Sequence, residues 1–379
     1  MDIAFWISLG GVVYAYFGYP AVLVVLGMVF RARTSLVSDS VSLPSVSVII
    51  PAHNEADVIG KKLENMLALP YAGQLEIIVV SDGSTDSTES IVLSRSDDGR
   101  LTYIGLSDRK GKANALNQGV EHANGEVVVF SDASIILDEN ALIKIVEPFA
   151  DPSVGCVSGE DKIAGGDGEG LYGQYELSLR RMESRLGSIV GASGSFYAQR
   201  RELVREFPEG VAPDFLSVLN TVKLGSRAVS SKEAVGHMTS VSGSANEFRR
   251  KVRTLIRGMT ALFREIELLN PFRHPLFAFF LLSHKVMRWL VPLLLLIAFG
   301  ANFFLLDARI YQVALSAQAT FYSVALLALM SKEAIGRFTI ARVAEYFCVA
   351  NAAILVAWVR YFLGARQEIW GPTKRASQD

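Results

Sequence analysis

Apolar and polar positions change rhythm three times along the chain. Residues 4–30 form a nearly uncharged apolar run, longer than the ~20 residues that cross a bilayer. No basic segment precedes it, so it reads as an anchor and not as a secretory signal. Arg31 and Arg33 follow. By the positive-inside rule they place the N-terminus outside and the next domain in the cytoplasm. Residues 34–44 are a Ser-rich linker.

From residue 45 short β-branched runs alternate with stretches of helical period. The expected strands are 45–50, 77–80, 101–104 and 126–130. The helices between and after them are 55–69 (Ile59, Leu63 and Met66 on one face), 86–95, 109–122 (Ala113, Leu116 and Val120 inward) and 140–149. This order predicts an α/β domain with a mostly parallel, Rossmann-like sheet covered on both faces. The pattern then loosens. Strands are expected at 154–158, 195–198 and 227–230, and a flexible loop at 164–170, either a gate over the site or mere slack. A helix at 171–187 sets Glu176, Arg180 and Glu183 as neighbours on one face, and another begins at Asp214.

The third rhythm is amphipathic. In residues 248–268, Phe248, Val252, Leu255, Ile256, Met259, Leu262, Phe263 and Ile266 recur at helical spacing, as in a helix lying in a membrane interface. Apolar runs at 290–306, 311–330 and 341–363 complete about three further spans. Residues 275–282 read as an interfacial or re-entrant piece, and Trp289 and Trp370 as interface anchors. The domains expected are thus an N-terminal transmembrane helix (1–33), linker (34–44), α/β domain (45–247), interfacial region (248–284), C-terminal spans (285–364) and polar tail (365–379). Four spans put both termini outside, whereas Arg360, Arg366, Lys374 and Arg375 favour the cytoplasm; the pattern leaves that conflict open.

Composition sharpens this picture. Hydrophobic residues make up 50% of the 379, concentrated at the two ends, as suits an integral inner or plasma membrane protein. A net charge of −1 gives no nucleic-acid signature. Locally, residues 248–274 carry seven basic side chains against two acidic ones. Cys156 and Cys348 have neither metal-site nor disulfide spacing, which fits a reducing compartment.

The candidate chemistry sits where strands stop, since ligands of open α/β sheets gather beyond the strands' carboxyl ends. Three such ends are polar: Pro51-Ala-His53-Asn-Glu55, Ser81-Asp82-Gly-Ser84, and Ser131-Asp132-Ala-Ser134. Between the last two lies Lys110-Gly-Lys112-Ala-Asn-Ala-Leu-Asn117. Carboxylates, a cation and lysines on one edge suit a nucleotide diphosphate. A dinucleotide-binding oxidoreductase is disfavoured, because Pro-Ala-His-Asn-Glu stands where Gly-x-Gly-x-x-Gly belongs, and no P-loop is present.

Val48-Ile-Ile-Pro-Ala-His-Asn-Glu55, Val79-Val-Ser-Asp-Gly-Ser-Thr-Asp86, the Lys110–Asn117 motif and Phe130-Ser-Asp-Ala-Ser134, in this order, resemble the family 2 glycosyltransferases of the GT-A fold. The likeness spans about residues 45–268. It is nearest to membrane-embedded members related to cellulose, hyaluronan and chitin-oligosaccharide synthases. The resemblance implies an inverting hexosyl- or N-acetylhexosaminyltransferase. Its donor would be a nucleotide-diphosphate sugar, a UDP-sugar foremost, and its acceptor a lipid-linked saccharide or growing cell-surface polysaccharide at the cytoplasmic face. It also implies a role for each residue. Pro51, His53, Glu55, Asp82, Ser84, Lys110, Lys112, Asp132, Ser134, Arg250 and Arg253 would bind the donor, Asp132 also holding Mg2+ or Mn2+. Gly194 and Ser195 would border the acceptor, and Asp214 would be the catalytic base.

Three positions depart from the family pattern. Ser134 replaces the second carboxylate of Asp-x-Asp and is a poorer ligand for a hard cation, which makes His237 one candidate for a further ligand, although a lone histidine is more often structural. Ala212-Pro213 precede Asp214, which as an alternative is a plain helix cap. Arg250-Lys-Val-Arg253-Thr lacks the Gln and Trp of the related Gln-x-x-Arg-Trp motif, so processivity does not follow. Asp86 reads as a helix cap. The rival functions are a catalytically inactive membrane scaffold that binds sugar nucleotides, favoured by Ser134, and a transporter, disfavoured by spans nearly free of charge.

Overall fold

The computed structural model describes residues 1–30, 43–164, 167–239, 244–331, 335 and 338–365. Most of the linker, residues 165–166 of the expected loop, and the tail with Arg366, Trp370, Lys374 and Arg375 lie outside them.

An eight-stranded sheet organises the middle of the chain. Its strands are β1 (Val46–Ala52), β2 (Leu75–Asp82), β3 (Leu101–Leu106), β4 (Val127–Ser131), β5 (Ile136–Leu137), β6 (Val154–Ala164), β7 (Phe196–Arg200) and β8 (Arg227–Thr239), in the order β3-β2-β1-β4-β7-β6-β8-β5. The β3-β2-β1-β4 half is wholly parallel, in register Val48↔Ile77 and Val48↔Val129. Its Val and Ile side chains are buried on both faces, under α2 (Ala56–Ala68) and α3 (Thr88–Leu93) on one side and α4 (Lys112–His122) on the other. β7 reverses direction beside β4. β6 and β8 outrun the five- and four-residue strands expected of them, because their pairing resumes beyond an irregularity at Ser158/Glu160. β5, only two residues long, carries too little pattern to be read from sequence.

Along the chain follow α5 (Ala141–Val146), α6 (Asp167–Leu186) and α7 (Pro213–Lys223). Residues 167–170 belong to α6, so that part of the expected loop is helix.

Among the described residues, four helices are long and apolar enough to cross a membrane: α1 (Asp2–Val29), α9 (Pro275–Phe303), α10 (Arg309–Met330) and α11 (Thr339–Phe362). The piece read as re-entrant is the start of α9, which runs on through a π turn at Leu282–Val286 into the span. α1 contains a matching π turn, Tyr14–Gly18. The amphipathic helix is α8 (Ser244–Arg264). Val252, Ile256, Met259 and Leu262 are buried in protein, and Phe263 stacks on Tyr361 of α11, so this face seats the spans on the domain. Trp289 is buried too. Its ring lies against Gly258 and its carbonyl accepts from Trp358, so it locks helices together and is no interface anchor.

Candidate active site

The ends of β1 and β2 are tied together first. Asn54 adopts the left-handed backbone (φ 52°), and its side-chain oxygen accepts from the Thr85 N–H at 2.8 Å. Ser84 Oγ accepts from the Asn54 N–H at 3.1 Å, and the Glu55 N–H donates to Thr88 Oγ1 at 2.9 Å. Asp86 accepts from the N–H groups of both Thr88 and Ala56, at 3.0 and 3.1 Å, so it closes two helix starts, as its reading as a cap requires. His53 is buried, with Nδ1 2.7 Å from the Asp82 carbonyl.

Asp82 is equally buried. Its two carboxylate oxygens accept from the N–H groups of Lys110 and Gly111 at 2.9 and 2.7 Å. That fixes the turn into α4, and Lys112 is the next residue. Lys112 Nζ lies 2.5 Å from Asp132 Oδ1 and donates to the Gly194 carbonyl at 3.1 Å. Lys110 itself is exposed. The Asp132 N–H donates to the Ser195 carbonyl at 2.9 Å, which joins the end of β4 to the start of β7.

Asp214 arrives from the other side. It lies in the first turn of α7, with Ala212 as N-cap, and makes no capping bond, so the plain-cap alternative fails. It has no hydrogen-bond or ion-pair partner among the described residues. A Cβ built on Gly194 would meet its carboxylate at 3.7–3.8 Å, so glycine there leaves room in front of it. The loop before α7 is held by Asn117, whose amide exchanges two hydrogen bonds with the Phe207 backbone, at 2.9 and 3.0 Å.

Pro51, Lys112, Asp132, Gly194 and Asp214 therefore line one pocket, floored by Leu116, Phe130 and Tyr197. Other candidates stand beside it. Asp82 and His53 build its wall from behind. Glu55, half-buried, opens α2. Ser134 is half-buried and makes no hydrogen bond among the described residues. Ser195 is buried, with its hydroxyl given to Asp161 at 2.6 Å. Arg250 forks onto Glu247 of its own helix, and Arg253 makes no hydrogen bond among the described residues. His237 pairs with Asp138 at 2.7 Å, where β8 meets β5.

Three residues escaped the sequence reading. Arg257 donates to the Val211 carbonyl at 2.7 and 3.0 Å. Burial lowers its pKa, while Asp214 and Asp132 pull it back up. It lies four residues beyond Arg253, and helical spacing alone puts the two on one face. Asp161 holds the hydroxyls of Ser193 and Ser195; burial raises its pKa against those bonds, and the sequence carries no signal for it. Lys62 is fully buried and donates to Ser131 Oγ at 2.7 Å and to the Ile135 carbonyl at 2.9 Å, bracketing Asp132. Desolvation lowers its pKa to about 7, although the Asp132 charge opposes this. Its signal was a lysine inside the Ile59–Met66 apolar stripe.

A divalent cation fits the donor set in one respect. Such ions at a diphosphate take one or two protein carboxylates and fill the rest of the shell with phosphate oxygens and water. Asp132 supplies a half-exposed carboxylate with one oxygen not engaged by Lys112. Among the described residues no group of three His, Cys, Asp or Glu side chains could hold a metal without such help.

A parallel half-sheet reversing at β7, with Asp132 at the reversal and Asp214 facing it, is the sheet of the GT-A fold. The family model for glycosyl transferase family 2 matches residues 47–207. Poly-β-1,6-N-acetyl-D-glucosamine synthase of Staphylococcus aureus (strain MSSA476) is 30% identical over 171 residues, which is 43% of this chain and 41% of that protein. The Staphylococcus epidermidis synthase is 26% identical over 186 residues, covering 47% of this chain and 44% of its own. The chain spans under half the length of these relatives. A solved structure of the mannosyltransferase PcManGT from Pyrobaculum calidifontis, in complex with GDP-Man and Mn2+, aligns over 96% of this chain and 100% of that one, at 25% identity and a TM-score of 0.73. The spans are thus part of the shared architecture.

Proposed function

We propose that this protein is an inverting, membrane-embedded glycosyltransferase. It moves a hexosyl or N-acetylhexosaminyl group from a nucleotide-diphosphate donor, foremost a UDP-sugar, to a lipid-linked saccharide or growing cell-surface polysaccharide. The observation that carries this reading is Asp214, a carboxylate with no hydrogen-bond or ion-pair partner among the described residues, across a pocket from the Lys112–Asp132 pair. Asp132 and Lys112 bind the donor's diphosphate side, and Asp132 holds Mg2+ or Mn2+ there. When bound, the cation supplies charge neutralisation for the leaving diphosphate. Asp82 contributes by fixing the turn that aims Lys112, and Pro51, His53, Glu55 and Ser84 shape the nucleoside end. Lys110, Ser134, Arg250, Arg253 and Arg257 complete the donor's surroundings. The acceptor hydroxyl enters past Gly194 and Ser195. Asp214 takes its proton as the oxygen attacks the anomeric carbon from the face opposite the nucleotide, which inverts that carbon.

The positive-inside rule supports a cytoplasmic placement for the domain. The names of the relatives support both a sugar-nucleotide donor and a polysaccharide product, and they differ on the sugar. Membranes containing the protein, incubated with a panel of radiolabelled UDP- and GDP-sugars and Mn2+, are expected to label lipid or polymer from one donor. Asp214→Asn is expected to lower that rate by about 10²–10⁴-fold with nucleotide binding unchanged. A wild type that binds the nucleotide yet neither transfers nor hydrolyses any donor would instead establish the inactive scaffold.

A further inference from the structure

Ser193-Gly194-Ser195 forms an arc that leads into β7, and its backbone meets the pocket at three points. The Gly194 carbonyl accepts from Lys112 Nζ at 3.1 Å. Gly194 Cα faces Asp214, whose carboxylate an added Cβ would meet at 3.7–3.8 Å. The Ser195 carbonyl accepts from the Asp132 N–H at 2.9 Å. The arc therefore stands between Asp214 on one side and the Lys112–Asp132 pair on the other, and where it lies sets the spacing of the two.

One carboxylate holds the arc. Asp161 accepts from Ser193 Oγ, 2.8 and 2.7 Å from its two oxygens, and from Ser195 Oγ at 2.6 Å. Ser193 Oγ in turn accepts from the N–H groups of Ser195 and Phe196, at 3.2 Å each, and the Ser193 N–H donates to Ser158 Oγ at 2.8 Å. Both serines of the arc are buried, so bulk water does not compete for these bonds. Asp161 itself does not line the pocket; it acts from behind.

β6 delivers that carboxylate by breaking its own alternation. In a regular strand Ser158 and Asp161 point to opposite faces. The irregularity between Ser158 and Glu160 shifts the phase, so that both side chains reach Ser193, while Glu160 turns to Arg181 of α6. β-Bulges are over-represented next to active sites, where they re-aim a side chain in this way.

We propose that Asp161 is a positioning residue for the transfer step: through Ser193 and Ser195 it fixes the arc that spaces Asp214 from the Lys112–Asp132 pair. This rests on reading the pocket as a transferase site. Asp161 touches neither donor nor acceptor. It governs the alignment of the acceptor hydroxyl, which enters past Gly194, between the base and the anomeric carbon. Its loss lowers turnover and spares the grip on the nucleotide, whose nucleoside end lies away from the arc.

The test separates turnover from binding. Full-length protein in detergent is assayed with the donor that the wild type uses, and the affinity for the free nucleotide is titrated separately. Asp161→Asn keeps the size of the side chain and leaves one acceptor oxygen where two hydroxyls bond. It is expected to lower kcat about ten- to hundred-fold, with the nucleotide Kd within about two-fold of wild type and a larger share of donor lost to water per transfer. The Ser193→Ala/Ser195→Ala double variant should reproduce the loss. Adding Asp161→Asn to it should change kcat by less than about two-fold, because the carboxylate works only through those hydroxyls. A triple variant whose losses multiply overturns the proposal, since Asp161 would then act by another route. So does a nucleotide affinity that falls as far as kcat, which is what a general loosening of the fold produces. A wild type that transfers from no donor removes the transferase reading and this role with it. A wild type that transfers, beside an Asp161→Asn of equal kcat, sinks the role alone.

Discussion

Asp82 illustrates how a motif residue acts through its neighbours. Its carboxylate spends both oxygens on the backbone of residues 110–111, and Lys112, one residue further, meets Asp132. Sequence places Asp82 at a strand end. That it builds the wall behind the pocket is decided by how closely the 110–111 turn approaches β2. Lys62 is the other case. Its folded-state pKa of about 7 lies below its ordinary 10.5, so between these pH values the folded protein binds fewer protons than the unfolded one. Stability therefore rises with pH across that window, and the cost of burying the charge is fully present below pH 7. Lys62→Met is expected to flatten the pH dependence of the thermal midpoint between pH 7 and 10 in detergent, while loosening the Ser131–Ile135 turn and raising the donor KM. An unchanged slope would show that Lys62 does not titrate there.

Among the elements, the turn after β2 is the least tolerant. Gly83 has φ +62°, and an added Cβ would stand 2.8 Å from the Arg109 nitrogen. Gly83→Ala is expected to cost about 1–3 kcal/mol and to weaken nucleotide binding, because the displaced backbone carries residues 109–112. Denaturant titration and nucleotide binding together check this. The α6–α9 contact joins buried charge to apolar packing. Glu183→Gln leaves His284 facing a neutral amide in a buried site, and breaking such a pair costs about 3–5 kcal/mol. It should appear as a clear drop in thermal midpoint, whereas Glu139→Gln, at an exposed position on the domain, should leave the midpoint unchanged. The i,i+4 and i,i+3 spacing of Glu176, Arg180 and Glu183 was visible in the sequence. The structure sends both glutamates across to α9, a choice made by where His284 and Arg288 arrive.

For the whole molecule, domain and spans are one packed body. The core that holds Phe130, Tyr197 and Leu216 is continuous with Tyr19 and Leu23 of α1, Ile256 and Met259 of α8, and Ala353 and Ile354 of α11. If a cation shares the donor with Asp132, chelation by EDTA should abolish transfer, and Mn2+ or Mg2+ should restore it without refolding; transfer that persists in excess EDTA would refute metal dependence. The alternation of strands and helices, the four apolar helices and the polar strand ends were legible in advance, because each is a local pattern with its own period: two, 3.6, or an unbroken apolar run. Depth and partnership were not. Trp289 as a helix lock, α8 as a seat for the spans, Arg257 and Asp161 beside the pocket, and Lys285 turned toward Phe215 all depend on side chains far apart in sequence being brought within bonding distance. Hydrogen bonds and ion pairs act over a few ångströms, so no one-dimensional spacing encodes them, and packing alone determined which of the candidate charges share a pocket.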